Sequence, residues 1–149
     1  MYVLYPTISR VSPERCKELI TLADQITERC PAEPEAIPGQ RAYQSTYWKP
    51  TVALYEPLLQ DIFPGHWLHA SLMFLPPMNM IHFHVDRIRA DRRRKHLVLQ
   101  TNPSCWVFHD GAWQQLEAGL VYFMDPTKVH GAVNSGDTVR VQFFVDRVP

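Results

Sequence analysis

Apolar positions along the chain change their period near Pro77. In the front part Cys16, Leu19, Ile20, Ala23, Ile26 and Cys30 recur at steps of mostly three and four, one stripe of an amphipathic helix. Ser12 and Pro13 stand just before it, a hydroxyl able to cap exposed N–H groups and a residue whose missing N–H costs nothing at the first helical position. These features predict a helix over 13–29. From Pro31 to Pro50 prolines, Gly39 and polar residues predict an irregular covering loop, followed by a short second helix over about 52–62. Past Pro77 come short runs rich in β-branched and aromatic residues, at 79–85, 96–101, 104–109, 112–117, 119–124, 128–134 and 138–146. Asp110–Gly111 is a two-residue hairpin signal, because both central residues of that turn need positive φ. Ser135–Gly136 suggests a second hairpin. Short strands with tight turns and no helices between them predict an antiparallel sandwich or barrel.

Composition fits this division. Ten of the 13 prolines lie at or before Pro77, and four of the six glycines from Gly111 onward. The 149 residues suit one domain, with 1–77 as a helix-and-loop cover and 78–149 as a β core. At 46% hydrophobic and 20% charged residues the chain is neither disordered nor fibrous. Fifteen basic and 15 acidic residues cancel, which argues against a general nucleic-acid binder; nucleic acid is an unfavoured partner. No apolar run approaches the ~20 residues of a membrane span, so no membrane partner is expected. MYVLYPTISR lacks the pattern of a secretory signal, and Cys16, Cys30 and Cys105 have no metal-type spacing, so a cytoplasmic protein with reduced thiols is expected.

The segment IHFHVD carries the most chemistry. As a strand it would turn His82, His84 and Asp86 to one face and Ile81, Phe83 and Val85 to the core. His130 follows 44 residues after Asp86 in another predicted strand (130 − 86), and Arg140 ten residues later (140 − 130). Two histidines and one carboxylate form a facial set that leaves adjacent positions open on non-haem Fe(II). A guanidinium nearby can take a carboxylate in two parallel bonds, which suits Arg140 to the far end of a 2-oxoacid. His82 is read as an outlying polar residue, and His66, His69 and His109 as turn or surface histidines.

HVD at 84–86, Arg94-x-His96-Leu97, TNP at 101–103, VHGAVNSG and VRVQFFVDR occur in order from about Met78 to Arg147. In these pieces the sequence resembles the Fe(II)- and 2-oxoglutarate-dependent oxygenases, and within them the aspartyl/asparaginyl β-hydroxylase-like group. The resemblance implies a mostly β fold, a double-stranded β-helix of jelly-roll or cupin-like form, with one or two N-terminal helices packed on one sheet. It further implies His84, Asp86 and His130 as catalytic metal ligands, Arg140 on the distal carboxylate of 2-oxoglutarate, and Arg94 and His96 beside that cosubstrate. Fe(II), 2-oxoglutarate and O2 would be the cofactors of a hydroxylase acting on an amino-acid residue or a free amino acid. Some members of the group lack the metal carboxylate that Asp86 supplies here. Whether His82 or Ser71 joins the site is open.

RIRADRRRK, residues 87–95, holds six of the fifteen basic residues. Arg89, Arg92 and Arg93 are expected to rim the pocket and favour an anionic peptide or amino-acid substrate. Two other readings of the residues stand beside the hydroxylase: a cupin-type metal enzyme that does not use 2-oxoglutarate, and an inert barrel used for binding.

Overall fold

The computed structural model describes residues 5–25, 44–47, 60–65, 69–86 and 93–147. Strand β1 (Tyr5–Arg10) leads into helix α1 (Pro13–Gln25), which begins as its cap predicts: the Arg15 amide donates to Ser12 Oγ at 3.2 Å. Cys16 and Leu19 on its stripe are buried. Residues 26–29 of the predicted helix lie outside the described part, as does most of the second helix, of which residues 60–62 are helical.

Nine further strands follow: β2 (Gln44–Tyr47), β3 (His69–Leu75), β4 (Asn79–His84), β5 (Arg93–Gln100), β6 (Cys105–His109), β7 (Ala112–Gln114), β8 (Leu120–Met124), β9 (His130–Asn134) and β10 (Arg140–Arg147). They form a six-stranded sheet in the order β1-β8-β5-β10-β3-β2 and a four-stranded sheet in the order β4-β9-β6-β7. Every pairing is antiparallel. The fold is thus the mostly β, double-stranded β-helix type that the resemblance implied. Among the described residues no helix is long and apolar enough to cross a membrane.

Two apolar clusters fix the layers. One, with Leu19, Leu72, Leu97, Val121, Val141, Phe143 and Val145, lies between α1 and the outer side of the large sheet. The other, with Leu75, Ile81, Val98, Val107, Tyr122, Met124 and Ala132, draws on both sheets and fills the space between them.

The front half is less of a mere cover than predicted. It supplies β1, β2 and β3, and β3 lies next to β10 inside the large sheet. HASLMFL is buried on both faces at Ala70, Ser71, Leu72, Phe74 and Leu75, so it lacks the alternation that marks a half-exposed strand. Gln44–Tyr47 is likewise a strand where an irregular loop was expected.

The Asp110–Gly111 hairpin forms as predicted, with φ of 45° and 91° and His109 paired to Ala112. The second does not, because β9 and β10 belong to different sheets. The chain crosses between them around Asn134, whose Nδ2 donates to Thr138 O at 2.8 Å and Leu75 O at 3.0 Å while its Oδ1 accepts from the Gly136 amide at 3.1 Å. A Cβ on Gly136 would lie 2.4–2.7 Å from the Asn102 amide group, so close approach and not a turn type calls for glycine there.

Candidate active site

The metal-ligand candidates come together through an irregularity in β4. Ile81 pairs with Ala132 and His84 with His130, so His82 and Phe83 together oppose the single Gly131. The bulge changes the facing of the strand: Ile81 and His84 both turn inward, while Phe83 and Val85 are 54% and 49% exposed. The expectation that Phe83 and Val85 face the core is therefore corrected. Gly131 makes room for the extra residue, since a Cβ there would lie 2.8 Å from Ile81 O and 2.9 Å from Phe83 Cδ1.

Around this bulge His84, Asp86 and His130 each offer a ligand atom, all within 4.8 Å of one another. His84 Nε2 is 3.3 Å and His130 Nε2 3.8 Å from Asp86 Oδ1. Each histidine places Nδ1 against the carbonyl two residues back, His82 O at 2.7 Å and Lys128 O at 2.8 Å. A carbonyl only accepts, so Nδ1 carries the hydrogen and Nε2 is the atom left for a metal. The Asp86 amide is tied to Pro126 O at 2.9 Å, fixing the residue just past the strand end.

The electrostatics suit a cation. Burial alone would raise the Asp86 carboxyl, but the bond from His84 and the charges of Arg94 and His130 hold it well below the usual carboxylate range. His130 is held below its ordinary value chiefly by burial, whereas His84 is raised by its bond to Asp86. Two imidazoles and one ionised carboxylate around one point form a donor set that can hold a divalent transition metal.

On the large sheet, alternate residues of β10 and β5 build the opposite wall. Arg140, Gln142, Phe144 and Asp146 share the inward face of β10, and Arg94 and His96 that of β5, with Phe144 paired to His96 and Asp146 to Arg94. Arg140 is only 2% exposed, donates from Nη2 to Gln142 Oε1, and meets no carboxylate among the described residues. Burial pulls its pKa down to about 10. His96 stacks on Phe144 at 5.7 Å between ring centroids, and its buried Nε2 has no hydrogen-bond partner. Burial, with the positive charge of Arg94 and Arg140, keeps its ring neutral. An unpaired buried cation and an orphaned ring nitrogen on one wall are an incomplete set of partners, which a bound anion would complete.

Arg94, expected beside the cosubstrate, is engaged by two side chains of the protein. Its Nε and Nη2 bond Asp146 Oδ1 and Oδ2 at 2.7 and 2.8 Å, and its Nη1 bonds Asp86 Oδ2. Its guanidinium also lies 4.4 Å from the Phe144 ring centroid. His82 contributes its carbonyl to His84, and Ser71 is fully buried on β3 opposite Phe144. Arg89 and Arg92 lie outside the described residues, and Arg93 opens β5 with its side chain outside them.

A profile of the family described as aspartyl/asparaginyl beta-hydroxylase matches residues 41–149. The chain belongs to that family. Solved structures similar to this hydroxylase-family fold include the viral collagen prolyl hydroxylase of Paramecium Bursaria Chlorella virus-1 in its 2OG complex, at TM-score 0.71 and 10% identity over 99% of this chain and 97% of that one. A Pseudomonas putida prolyl-4-hydroxylase aligns at TM-score 0.64 and 19% identity over 98% and 92%. SnoN, a non-heme alpha ketoglutarate dependent epimerase from nogalamycin biosynthesis, aligns at 0.69 and 11% over 96% and 76%. At these identities the likeness shows the fold. Among curated proteins no sequence match is found.

Three buried polar residues of this family member escaped the sequence reading. Asp146 and Gln142 were signalled by the polar residues at three of the four alternate positions of RVQFFVD, Arg140, Gln142 and Asp146, a parity that places them on the face of Arg140. His109, expected at a turn or on the surface, is buried: it shares the inward parity of Cys105 and Val107, pairs with His130, and its Nε2 contacts Asp125 O at 3.0 Å. His69 opens β3 rather than a turn, and His66 lies outside the described residues.

Proposed function

We propose that this protein is an Fe(II)- and 2-oxoglutarate-dependent dioxygenase that hydroxylates an amino-acid residue in a peptide or protein, or a free amino acid. The observation that carries the reading is Arg140, a buried guanidinium that meets no carboxylate among the described residues, on the same sheet face as Arg94, whose partner Asp86 lies with two histidines around one point. His84, Asp86 and His130 would hold the metal from one side, leaving the other side to cosubstrate and oxygen. Arg140, with Gln142 oriented beside it, would take the distal carboxylate of 2-oxoglutarate through its planar fork. His96, kept neutral, would turn its free ring nitrogen to the same ligand. When bound, iron and cosubstrate supply the oxidising chemistry, with succinate and CO2 as co-products. The surrounding apolar residues, Val98, Tyr122 and Met124 among them, keep water from the reacting centre.

The 2OG complex of the viral prolyl hydroxylase and the cosubstrate named for SnoN support the choice of 2-oxoglutarate. The basic run at 87–95 supports an anionic peptide or amino acid as substrate. The test is oxygen- and Fe(II)-dependent release of succinate from 2-oxoglutarate, accelerated by acidic peptides or amino acids. Absence of succinate under every such condition, in protein that binds metal, would favour the cupin-type alternative.

A further inference from the structure

Asp146 lies near the far end of β10 from Arg140, 2% exposed, and the metal-ligand set does not include it. Both of its carboxylate oxygens are taken by Arg94, at 2.7 and 2.8 Å. That two-point contact fixes the plane of the guanidinium, which a single bond would leave free to swing. The strand register sets the contact, since Asp146 pairs with Arg94 across β10 and β5. Phe144, two residues before Asp146, supports the guanidinium face. The remaining edge of the fork reaches Asp86 through Oδ2 alone, so that Oδ1 is the oxygen turned toward His84 Nε2 and His130 Nε2.

We propose that Asp146 is a positioning residue that acts through Arg94 to hold Asp86 with one oxygen presented to the metal and the other bonded within the protein. The proposal rests on the metal-site reading above and adds to it a chain of command from the C-terminal strand. Asp146 does a second thing by charge. Without it Arg94 would meet Asp86 as an uncompensated cation, competing with the metal for the same carboxylate. With it the guanidinium is shared between two carboxylates, and Asp86 keeps negative charge for the ion.

Co(II), an air-stable stand-in whose d–d absorption reports ligand number and symmetry, provides the test. Its dissociation constant and visible spectrum are measured by chelator competition in wild type, Asp146→Asn, Asp86→Ala and the double variant, each checked by far-UV circular dichroism. Residues that hold metal ligands in place typically contribute 10- to 100-fold in metal affinity, so Asp146→Asn is expected to weaken Co(II) binding by about that factor and to alter the d–d band. In the Asp86→Ala background the same substitution is expected to change neither quantity, because its route to the metal has been removed. Arg94→Lys, which keeps the charge but loses the fork, is expected to behave like Asp146→Asn and carries the test if that variant does not fold. Wild-type affinity and spectrum in both single variants would overturn the proposal. So would an equal loss with and without Asp86, which is what a merely structural role predicts. If wild type and Asp86→Ala bound Co(II) alike, the metal-site reading itself would fall and the positioning role with it.

Discussion

A guanidinium that is 2% exposed, bonded to Gln142 and meeting no carboxylate among the described residues is suited to an anionic ligand. Removing one partner of a buried charged pair costs about 2–5 kcal/mol, or roughly 30- to 4000-fold in affinity. Arg140→Ala is therefore expected to weaken 2-oxoglutarate binding by a factor in that range while Co(II) affinity holds, both read by isothermal titration. Arg140→Lys should recover little, because a point charge cannot reproduce the fork. Unchanged 2-oxoglutarate affinity in Arg140→Ala would reduce Arg140 to a strand residue. A second residue shapes the response to pH. His96 is held well below its ordinary range by burial and by Arg94 and Arg140, so below about pH 6.5 the unfolded chain takes up a proton that the fold refuses. Its contribution is thus a loss of stability as pH falls from about 6.5. His84 acts in the opposite sense: raised by Asp86, it adds stability below about pH 6.5 that fades as pH rises through its folded value. In metal-free protein His96→Asn should flatten the decline between about pH 6.5 and 5, by up to about 1.4 kcal/mol per pH unit, in urea melts. Parallel slopes would mean that His96 titrates normally in the fold.

At the scale of elements, the bulge in β4 decides whether the site exists. With regular pairing through Ile81 and Ala132, His84 and Asp86 would point away from the core. Gly131→Ala would press a methyl group against Ile81 O and the Phe83 ring, and overpacking of this kind typically costs about 1–3 kcal/mol. We expect a lower melting temperature together with weakened Co(II) binding, because the strain falls between two ligand-bearing strands. A variant that lost stability yet kept wild-type Co(II) affinity would show that the ligands do not depend on the bulge. The same irregularity marks where the sequence could be read and where it could not. HVD and His130 were legible as a set, and Asp110–Gly111 announced its hairpin. Alternation alone could not show that two residues oppose one glycine, so Phe83 and Val85 were expected inside. Nor could it show that HASLMFL, buried on both faces, runs beside β10, or that the turn at Ser135–Gly136 changes sheets. Those facts depend on partners distant in the chain.

Over the whole molecule two apolar layers of different purpose meet on the large sheet. The α1 side is sealed by residues such as Leu19, Leu97 and Phe143. The other side carries Val98, Tyr122 and Met124, and on the same face the polar residues Arg94, His96, Arg140 and Gln142. Charge is balanced overall, yet six of the fifteen basic residues fall within 87–95, directly after Asp86. If this run meets an anionic substrate, replacing Arg89, Arg92 and Arg93 with Ser should raise the KM for an acidic peptide while leaving Co(II) and 2-oxoglutarate affinities as they are. The difference from wild type should shrink as salt is raised, since exposed charges act over about 8 Å at physiological ionic strength. Equal KM values in low salt would remove the run from substrate recognition.

The central claim is that the triad and Arg140 serve one ligand in one chamber. Its most direct test is an anaerobic calorimetric titration of 2-oxoglutarate into metal-free protein, Co(II)-loaded protein and Co(II)-loaded Arg140→Ala. The account predicts strong binding only to the loaded wild type, weakened both by removing the metal and by removing the guanidinium. Binding that is indifferent to the metal, or that never occurs in protein shown to hold Co(II), would contradict it.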